Sequence, residues 1–385
     1  MRIGFVSTYP PIECGIATYT SDLRQALDEK ENETFVVSQF GAKGSYVFPV
    51  YSPESPTLAN DIYSTSIKMT PDVMHIQHEY GLFGAQKGVM GVELLLRYRM
   101  AGMPVVTTLH TVYETLTDAE QIILRHIVEE SNAVIVHEEV QKETLERHFE
   151  AGRKIHVIEH GIREIGPVEG AKEKLDLKGK KVILLCGYFR PTKGFQRIVD
   201  LFPRIREKDE DAVLIVAGKT RNIEFDDYRR NFFEQLNSSP VVDSIQIFRG
   251  QFPQYTFDTI LSAADVVVLP YELGAQSGVM SQCIAMHIPV VASDLPVFRK
   301  VIERSGCGTN CSTDEEYIEA ILNILNDAKQ RESMISNCRK YVKEGAGWSR
   351  IAQKHMDVYN SIVTVPYGKA RHIYFPESED KRRKF

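Results

Sequence analysis

Two basic residues lie three positions apart in a short loop that proline and glycine hold in shape. Arg190 and Lys193 belong to the segment Gly187–Gly194, which follows the apolar run 182–185. A guanidinium binds two phosphate oxygens at once, and an ammonium adds a compact positive charge. The spacing therefore favours a diphosphate ligand, and the alternative is a pair of solvated surface charges.

A cluster of glycine and serine after the apolar run 266–269 indicates a second site for an anion. Ser277 is a good N-cap for the apolar helix that follows. The first amides of that helix, those of Gly278 and Val279, are then free to bind phosphate. The alternative is an ordinary capped helix that binds nothing.

The loop after the first apolar run, Ile3–Val6, is the third candidate. Pro10 and Pro11 restrict its shape, and Gly15 lets a ligand approach the backbone closely where a helix begins. The alternative here is a structural turn. A nucleoside diphosphate with a further group attached is the simplest ligand that would use all three loops.

Four histidines in the first half of the chain follow predicted strands: His78, His110, His137 and His160. Because the carboxyl ends of parallel strands share one edge of a sheet, these side chains should line one rim. Each histidine taken alone is more often structural than functional. We take His110 as the best candidate to face a ligand.

Short apolar strands alternate with amphipathic helical segments along both halves of the chain, which predicts βαβ units and parallel sheets. Glycine, proline and charged residues at 166–181 indicate a linker. We therefore predict an α/β protein of two tandem Rossmann-like, doubly wound domains, residues 1–170 and 171–345, with an interdomain cleft. A helix at 346–363 should pack back on the N-terminal domain, and residues 364–385 form a polar, charged tail.

Composition excludes several classes of protein. The 385 residues carry a net charge of −6, which argues against nucleic-acid binding. No run approaches the roughly 20 apolar residues of a membrane span, and the first apolar run is too short for a signal peptide. The six cysteines show no zinc-site spacing and are interpreted as reduced thiols. We expect a cytoplasmic protein whose membrane contact, if any, is peripheral, through the basic residues 381–384 at the inner membrane surface.

The ordered set of segments resembles the retaining glycosyltransferases of family four, which have the GT-B architecture. The segments occur in the family's order over about residues 1–362. They are Pro11 with Gly15–Ala17, Thr108–His110, Glu159–Gly161, Gly187–Gly194, Val216–Gly218, Ala264–Tyr271 and Gly278–Asp294.

This resemblance implies transfer of a hexose-type sugar from a nucleoside-diphosphate sugar to a glycan or lipid-linked acceptor. Arg190 and Lys193 resemble the pair that neutralises the donor diphosphate and stabilises the leaving group. His110 resembles the residue that contacts the transferred sugar and stabilises its developing positive charge, in one version through a backbone carbonyl. Glu79 is a candidate to bind the acceptor.

Further donor contacts follow from the same resemblance. Gly15 and Ile16 resemble the loop under the diphosphate and sugar, and Gly250 lies in the stretch 249–252 whose backbone meets the nucleobase. The implied catalytic set is His110, Arg190 and Lys193. The implied donor-binding set is Gly15, Ile16, Arg190, Lys193, Gly250, Glu272, Ser277, Gly278, Val279 and Gln282.

The chain departs from the family pattern at one place. The family often carries two glutamates eight positions apart, whereas here Gln282 replaces the second and Gly274 lies eight residues before it. The second glutamate usually binds the ribose hydroxyls, and Gln282 can still form hydrogen bonds without a charge. Glu272 is the one acid nearby. Some branches of the family share this loss.

An acidic triplet, Asp209-Glu210-Asp211, is similar to the Asp-x-Asp pattern of metal-dependent glycosyltransferases. It lies between a predicted helix and a predicted strand, at the edge of the sheet opposite the one that binds ligands in such folds. We therefore predict no metal and no cofactor.

Two other functions compete with sugar transfer. One is a nucleotide-sugar epimerase of the same fold, and the other is a non-catalytic nucleotide-sugar-binding protein. A glycosidase would need a second convincing carboxylate, and an NAD enzyme would need Gly-x-Gly-x-x-Gly after a strand. The donor sugar, its nucleobase and the acceptor stay open.

Overall fold

The computed structural model describes residues 1–150, 152–219, 226–250, 252–273 and 277–364. The chain forms two compact units. Unit 1 contains Met1–Gly161 together with the C-terminal helix, and unit 2 contains Ile162–Gly347. The part of the predicted tail from residue 365 onward lies outside the described residues.

Unit 1 is built on a sheet of seven strands. The strands are β1 (Arg2–Val6), β2 (Glu33–Gln39), β3 (Val47–Tyr51), β4 (Val73–His78), β5 (Val105–Leu109), β6 (Ala133–Val136) and β7 (Ile155–Val157). Their order is β3-β2-β1-β4-β5-β6-β7, and all neighbours are parallel. The helices between them are α1 (Gly15–Asp28), α2 (Leu58–Lys68), α3 (Ala85–Gly88), α4 (Met90–Met100), α5 (Asp118–Glu130) and α6 (Glu139–His148).

Unit 2 is built on a sheet of six strands. The strands are β8 (Lys181–Tyr188), β9 (Ala212–Lys219), β10 (Ile245–Arg249), β11 (Val266–Leu269), β12 (Val290–Ser293) and β13 (Gly308–Cys311). Their order is β10-β9-β8-β11-β12-β13, again all parallel. The helices are α7 (Ala171–Lys174), α8 (Phe195–Lys208), α9 (Asp226–Asn237), α10 (Gln254–Ser262), α11 (Gly278–Ala285), α12 (Pro296–Ser305), α13 (Asp314–Asn326) and α14 (Ala328–Tyr341).

The last described helix, α15 (Trp348–Ile362), belongs to unit 1 and packs against α1. Ile162 and Gly347 form a β-bridge where the chain enters and leaves unit 2. The first boundary therefore follows Gly161 rather than residue 170, because the segment after it bonds to unit 2. None of the described helices has both the length and the apolar character needed to cross a membrane.

Apolar side chains cover both faces of the first sheet. Successive strand residues point to opposite faces. Phe5 packs in one cluster with residues of α1 and α15, whereas Val6 packs in another with residues of α2, α4 and α5. The strand Val266–Leu269 of unit 2 is likewise fully buried, as expected for a parallel sheet covered on both faces. The predicted pair of doubly wound α/β domains is confirmed.

The strand order reverses between β1 and β4 in unit 1, and between β8 and β11 in unit 2. In open parallel sheets, ligands bind beyond the carboxyl ends of the strands at such switch points. The loops after β1 and β4 flank the first switch point, and the loops after β8 and β11 flank the second. Each sheet therefore has one preferred place for a site.

Candidate active site

The loop after β8 is held tightly against the loop after β11. Gly194 has a φ of +61°, and a Cβ there would clash with the carbonyl oxygen of Pro270. The amide of Glu272 donates to the carbonyl of Thr192 at 3.0 Å. Only glycine suits both the backbone conformation and the close approach at position 194. These contacts position Arg190, at the start of the same loop.

Two cations of this loop have unusual surroundings. Arg190 Nε is buried and has no hydrogen-bond partner among the described residues. Lys193 Nζ lies 3.4 Å from the ring centre of Tyr271. Burial, reinforced by the charge of Arg190, lowers the pKa of Lys193 to about 8. Two positive groups held together in this way favour an anionic ligand, which would compensate both charges.

Helix α11 begins beside these cations in the fold, at the carboxyl end of β11. The hydroxyl of Ser277 accepts from the amide of Met280 at 3.3 Å, so Ser277 is the N-cap. The first turn of α11 contains no acidic residue. Gly278 is exposed, and a Cβ there would meet no atom within 4 Å. The amides of Gly278 and Val279 are therefore accessible at the positive end of a helix dipole.

Gln282 takes part in a polar cluster on the surface of unit 2. Its Oε1 accepts from Arg163 at 2.8 Å and from Gln254 at 3.3 Å. Arg163 also donates twice to the carboxylate of Asp258, at 2.8 and 3.1 Å. The oxygen of Gln282 is therefore occupied, and its Nε2 forms no hydrogen bond within the described part of the chain. A glutamine at this position thus presents a donor to a ligand, where a glutamate would present an acceptor.

Of the two other predicted donor residues, Gly250 lies apart from the cations, whereas Glu272 contacts their loop through the hydrogen bond from its amide to Thr192. Gly250 follows β10 with a φ of +143°, and its amide donates to the carbonyl of Gly218 at 3.0 Å. Glu272 is exposed after β11. The neighbouring positions 251 and 274, named in the sequence analysis, lie outside the described residues. Because β9 separates β10 from β8, Gly250 lies two strands away from the loop of Arg190.

Gly15 and Ile16 begin α1 after the loop that follows β1. The Cys14 thiol lies 3.2 Å from the hydroxyl of Thr8 within this loop. Gly15 is exposed, and a Cβ there would meet no atom within 4 Å. Internal packing therefore does not require glycine at position 15, and the open space beside it leaves the backbone accessible.

His110 follows β5, and its ring is engaged inside unit 1. Nε2 donates to Gln77 Oε1 at 2.8 Å, and Nδ1 lies 3.4 Å from His137 Nε2. Burial and the neighbouring histidines hold the pKa of His110 well below its ordinary value. The ring is therefore neutral at pH 7 and has no nitrogen left to exchange protons with a substrate. The carbonyl of His110 accepts a hydrogen bond from Gln141 Nε2 at 3.5 Å.

A network of buried side chains extends from His110 to the C-terminal helix. Gln77 Nε2 donates to His75 Nε2 at 3.2 Å, and the hydroxyl of Thr108 donates to the same nitrogen at 2.7 Å. His75 Nδ1 donates to the hydroxyl of Tyr359 on α15 at 2.7 Å. We refer to His75, Gln77, His110 and Tyr359 as the histidine network.

Tyr19 on α1 lies at the centre of the same region. Its ring centre is 5.0 to 5.2 Å from those of His110, His137, His160 and Trp348. Tyr19, His75 and Gln77 were not predicted from the sequence. The available signal was the presence of polar residues at alternate positions, 75 and 77, within an otherwise apolar strand.

Glu79 joins the loops that follow β4 and β5. Its carboxylate accepts from the hydroxyl of Thr111 at 2.6 Å and from the amide of Tyr80 at 2.9 Å. The structure thus holds Glu79 and His110 on neighbouring strand ends of unit 1, beside the switch point. It holds Arg190, Lys193 and Ser277 together at the switch point of unit 2.

The acidic triplet lies at the amino end of β9, on the opposite edge from these loops. Asp209 accepts from Lys181 Nζ at 2.9 Å and from the amide of Asp211 at 3.2 Å. The carboxylate therefore has a structural role in joining the ends of two neighbouring strands.

Two family models match the chain in consecutive segments. Residues 14–164 match the model described as Glycosyltransferase Family 4, and residues 168–341 match Glycosyl transferases group 1. A phosphatidyl-myo-inositol mannosyltransferase of Mycobacterium leprae is 29% identical over 191 residues, which cover 48% of each chain. An uncharacterized glycosyltransferase of Methanocaldococcus jannaschii is 27% identical over 182 residues, covering 47% of this chain and 45% of that one. The chain spans about half the length of the curated relatives it matches.

Solved structures resemble nearly the whole chain. A glycosyltransferase from Rickettsia africae has a TM-score of 0.73 at 17% identity, covering 94% of this chain and 98% of that one. HepE of Anabaena, solved in complex with UDP, has a TM-score of 0.69 at 15% identity, covering 94% and 100%. At such identities the likeness establishes the fold, which is GT-B. Since both family models match in the predicted order, the chain belongs to glycosyltransferase family four.

Proposed function

We propose that this protein transfers a hexose-type sugar from a nucleoside-diphosphate sugar to a glycan or lipid-linked acceptor, with retention of configuration and without a metal ion. The observation that carries the proposal is the pair of neighbouring cations Arg190 and Lys193 at the switch point of unit 2, in which Arg190 Nε is buried without a partner among the described residues. The mannosyltransferase named among the relatives supports a hexose donor and a lipid-linked acceptor. We place the reaction in the cytoplasm, in polysaccharide biosynthesis.

In this mechanism the cations act on the leaving group. As the bond between the sugar carbon and the phosphate oxygen breaks, negative charge accumulates on the diphosphate. Arg190 binds two of its oxygens and Lys193 adds a third contact, which supplies the charge compensation that a metal ion gives in other enzymes. The amides of Gly278 and Val279 bind the same diphosphate.

The sugar develops positive charge in the same step. The carbonyl of His110 stabilises it, while the ring is held in place by its own partners. Gly15 and Ile16 pack beneath the diphosphate and sugar. The acceptor hydroxyl attacks on the face that the leaving group vacates, and a donor phosphate oxygen takes its proton.

Gln282 binds the ribose through an uncharged contact, because it lacks the negative charge of a glutamate. Its oxygen is committed to Arg163, so its amide nitrogen donates to a ribose hydroxyl oxygen. The contact is a neutral hydrogen bond, which contributes about 1 kcal/mol. Replacement of the glutamate is therefore compatible with donor binding and with turnover.

The test measures donor binding and transfer in matched variants. UDP, GDP and ADP are screened by thermal shift against the wild type, Arg190→Ala and Arg204→Ala. Arg204 is an exposed arginine on α8 that pairs with Glu315 and serves as the control. We expect one nucleotide to stabilise the wild type and Arg204→Ala, and to have little effect on Arg190→Ala.

The corresponding nucleotide sugars then test turnover. Release of nucleoside diphosphate that increases with added acceptor supports transfer. A flat nucleotide panel, or normal transfer by Arg190→Ala, contradicts the assignment. Conversion of the donor without any acceptor favours the epimerase. Binding without turnover favours the non-catalytic binding protein, for which the replacement at Gln282 is the specific argument.

A further inference from the structure

Two tyrosines form a stacked pair at the ends of neighbouring strands in unit 1. The rings of Tyr80, after β4, and Tyr113, after β5, are almost parallel at 6°, with centres 6.0 Å apart. Tyr80 is only 8% exposed, whereas Tyr113 remains 50% exposed. The outer tyrosine therefore presents an aromatic surface to solvent, and the inner one supports it from beneath.

Charged residues fix this pair in place. The bond between Glu79 and Thr111 joins the two loops one and two positions before the tyrosines. Lys87 Nζ lies 5.4 Å from the ring centre of Tyr80 and donates to the buried carboxylate of Glu120 at 3.1 Å. We refer to Tyr80 and Tyr113 as the tyrosine platform. Contacts from both loops and from α5 thus hold the tyrosine platform in place.

Buried polar atoms beside the platform have no partners in the described part of the chain. The hydroxyl of Tyr80 and both ring nitrogens of His78 are such atoms. His78 packs edge-on to Tyr80, with ring centres 5.6 Å apart. These atoms are closed to solvent, so a ligand on the exposed face of Tyr113 does not contact them.

An exposed aromatic ring next to a carboxylate suits one class of ligand particularly well. A pyranose has an apolar C–H face, which packs on an aromatic ring, and hydroxyls around its edge, which donate to carboxylates. Glu79 disfavours a diphosphate at this position because like charges repel. A neutral sugar ring packs on the aromatic ring and donates a hydrogen bond to the carboxylate.

We propose that the tyrosine platform, with Glu79 beside it, is a subsite for a pyranose ring of the acceptor. The inference rests on the proposed function, because it assigns this sugar to the acceptor of a glycosyltransferase. The apolar face of the ring packs on Tyr113, and a hydroxyl donates to Glu79. An acceptor that ends in a sugar is therefore selected over one that offers only a lipid or an amino-acid hydroxyl.

The test uses simple sugars as probes of the full chain. Methyl α-glucopyranoside and methyl α-mannopyranoside are titrated in saturation-transfer NMR against the wild type, Tyr113→Ala and Tyr113→Phe. We expect saturation of ring protons on one face for at least one glycoside. Tyr113→Ala should bind about tenfold more weakly, because the ring that carries the apolar face of the sugar is removed, and Tyr113→Phe should bind normally.

Tyr255→Ala is the matched control, because Tyr255 is an exposed tyrosine of unit 2 beside a lysine. Normal binding by Tyr113→Ala, or absence of saturation with both glycosides, would overturn the subsite. The nucleotide screen on Tyr113→Ala separates this result from the donor proposal, since nucleotide binding should be unchanged. An octyl glucoside that binds more tightly than the methyl glycoside identifies a lipid-linked source of the ring, and equal binding identifies a free glycan.

Discussion

Among single residues, Lys193 is the group of the loop after β8 whose charge responds to pH. Its pKa of about 8 results mainly from burial and partly from Arg190. Below pH 7 the ammonium is charged and attracts a diphosphate. Above the pKa the free protein loses this charge, so binding must then include uptake of a proton. The apparent Kd of the preferred nucleoside diphosphate should therefore rise with pH, by up to about tenfold per pH unit above 8.

Calorimetric titration from about pH 6.5 to 9.5 measures this dependence. Lys193→Arg is the informative comparison, since a guanidinium stays charged throughout this range. Its Kd should be almost independent of pH. If the Kd of the wild type and that of Lys193→Arg rise equally with pH, a group other than Lys193 titrates.

Some residues of the candidate site can be proposed from the sequence because their signals are local. Arg190, Lys193 and Ser277 stand out by residue type and by position after an apolar run. The replacement at Gln282 was equally visible. Its consequence was not, because the partner Arg163 lies 119 positions away and its contact depends on tertiary structure.

At the level of elements, the histidine network links α15 and β4 to the loop that carries His110. Gln77 bonds to both His75 and His110, so Gln77→Leu removes two contacts and leaves buried ring nitrogens unpaired. We expect a loss of about 1–3 kcal/mol in the free energy of unfolding. Transfer at saturating donor should fall by about tenfold or more, because a small displacement of a positioned group is costly.

A control of similar stability separates these two effects. Ser66→Ala removes a buried hydrogen bond of 2.7 Å to Tyr98, elsewhere in unit 1. It should lower the melting temperature comparably and leave the transfer rate unchanged. If Ser66→Ala reduces transfer as much as Gln77→Leu does, the network has no specific positioning role.

Two edge strands show where an apolar pattern is insufficient to locate a strand. The apolar runs 3–6, 182–185 and 266–269 coincide with strands β1, β8 and β11. No comparable run marks β3 or β13, which lie at the outer edges of the two sheets. Pro49 interrupts β3, and β13 consists of Gly308–Cys311, without an apolar run. Edge strands are paired on one side only, so their sequences are less constrained.

On the scale of the whole molecule, buried histidines are concentrated in unit 1. His78, His137 and His355 are buried there, and burial lowers their pKa values to about 4, 3 and 4. His287 is the single described histidine of unit 2. The two units should therefore differ in their response to acid, even though they share a fold.

Lowering the pH from 7 to 5 should destabilise unit 1 selectively. In unfolded chains histidine binds protons below about pH 6.5, whereas these rings stay neutral in the folded state. The contribution of these rings to stability is thus complete above that pH. It is lost as the pH falls, by about 2 kcal/mol at pH 5 for each ring that remains neutral.

Trp348 is the one tryptophan of the chain and lies in unit 1, so its fluorescence reports the unfolding of this unit. Its transition should move to lower temperature in acid, and less so in His355→Gln, while a second calorimetric transition from unit 2 stays in place. A tryptophan midpoint that is constant down to pH 5 would show that the buried histidines do not control the stability of unit 1.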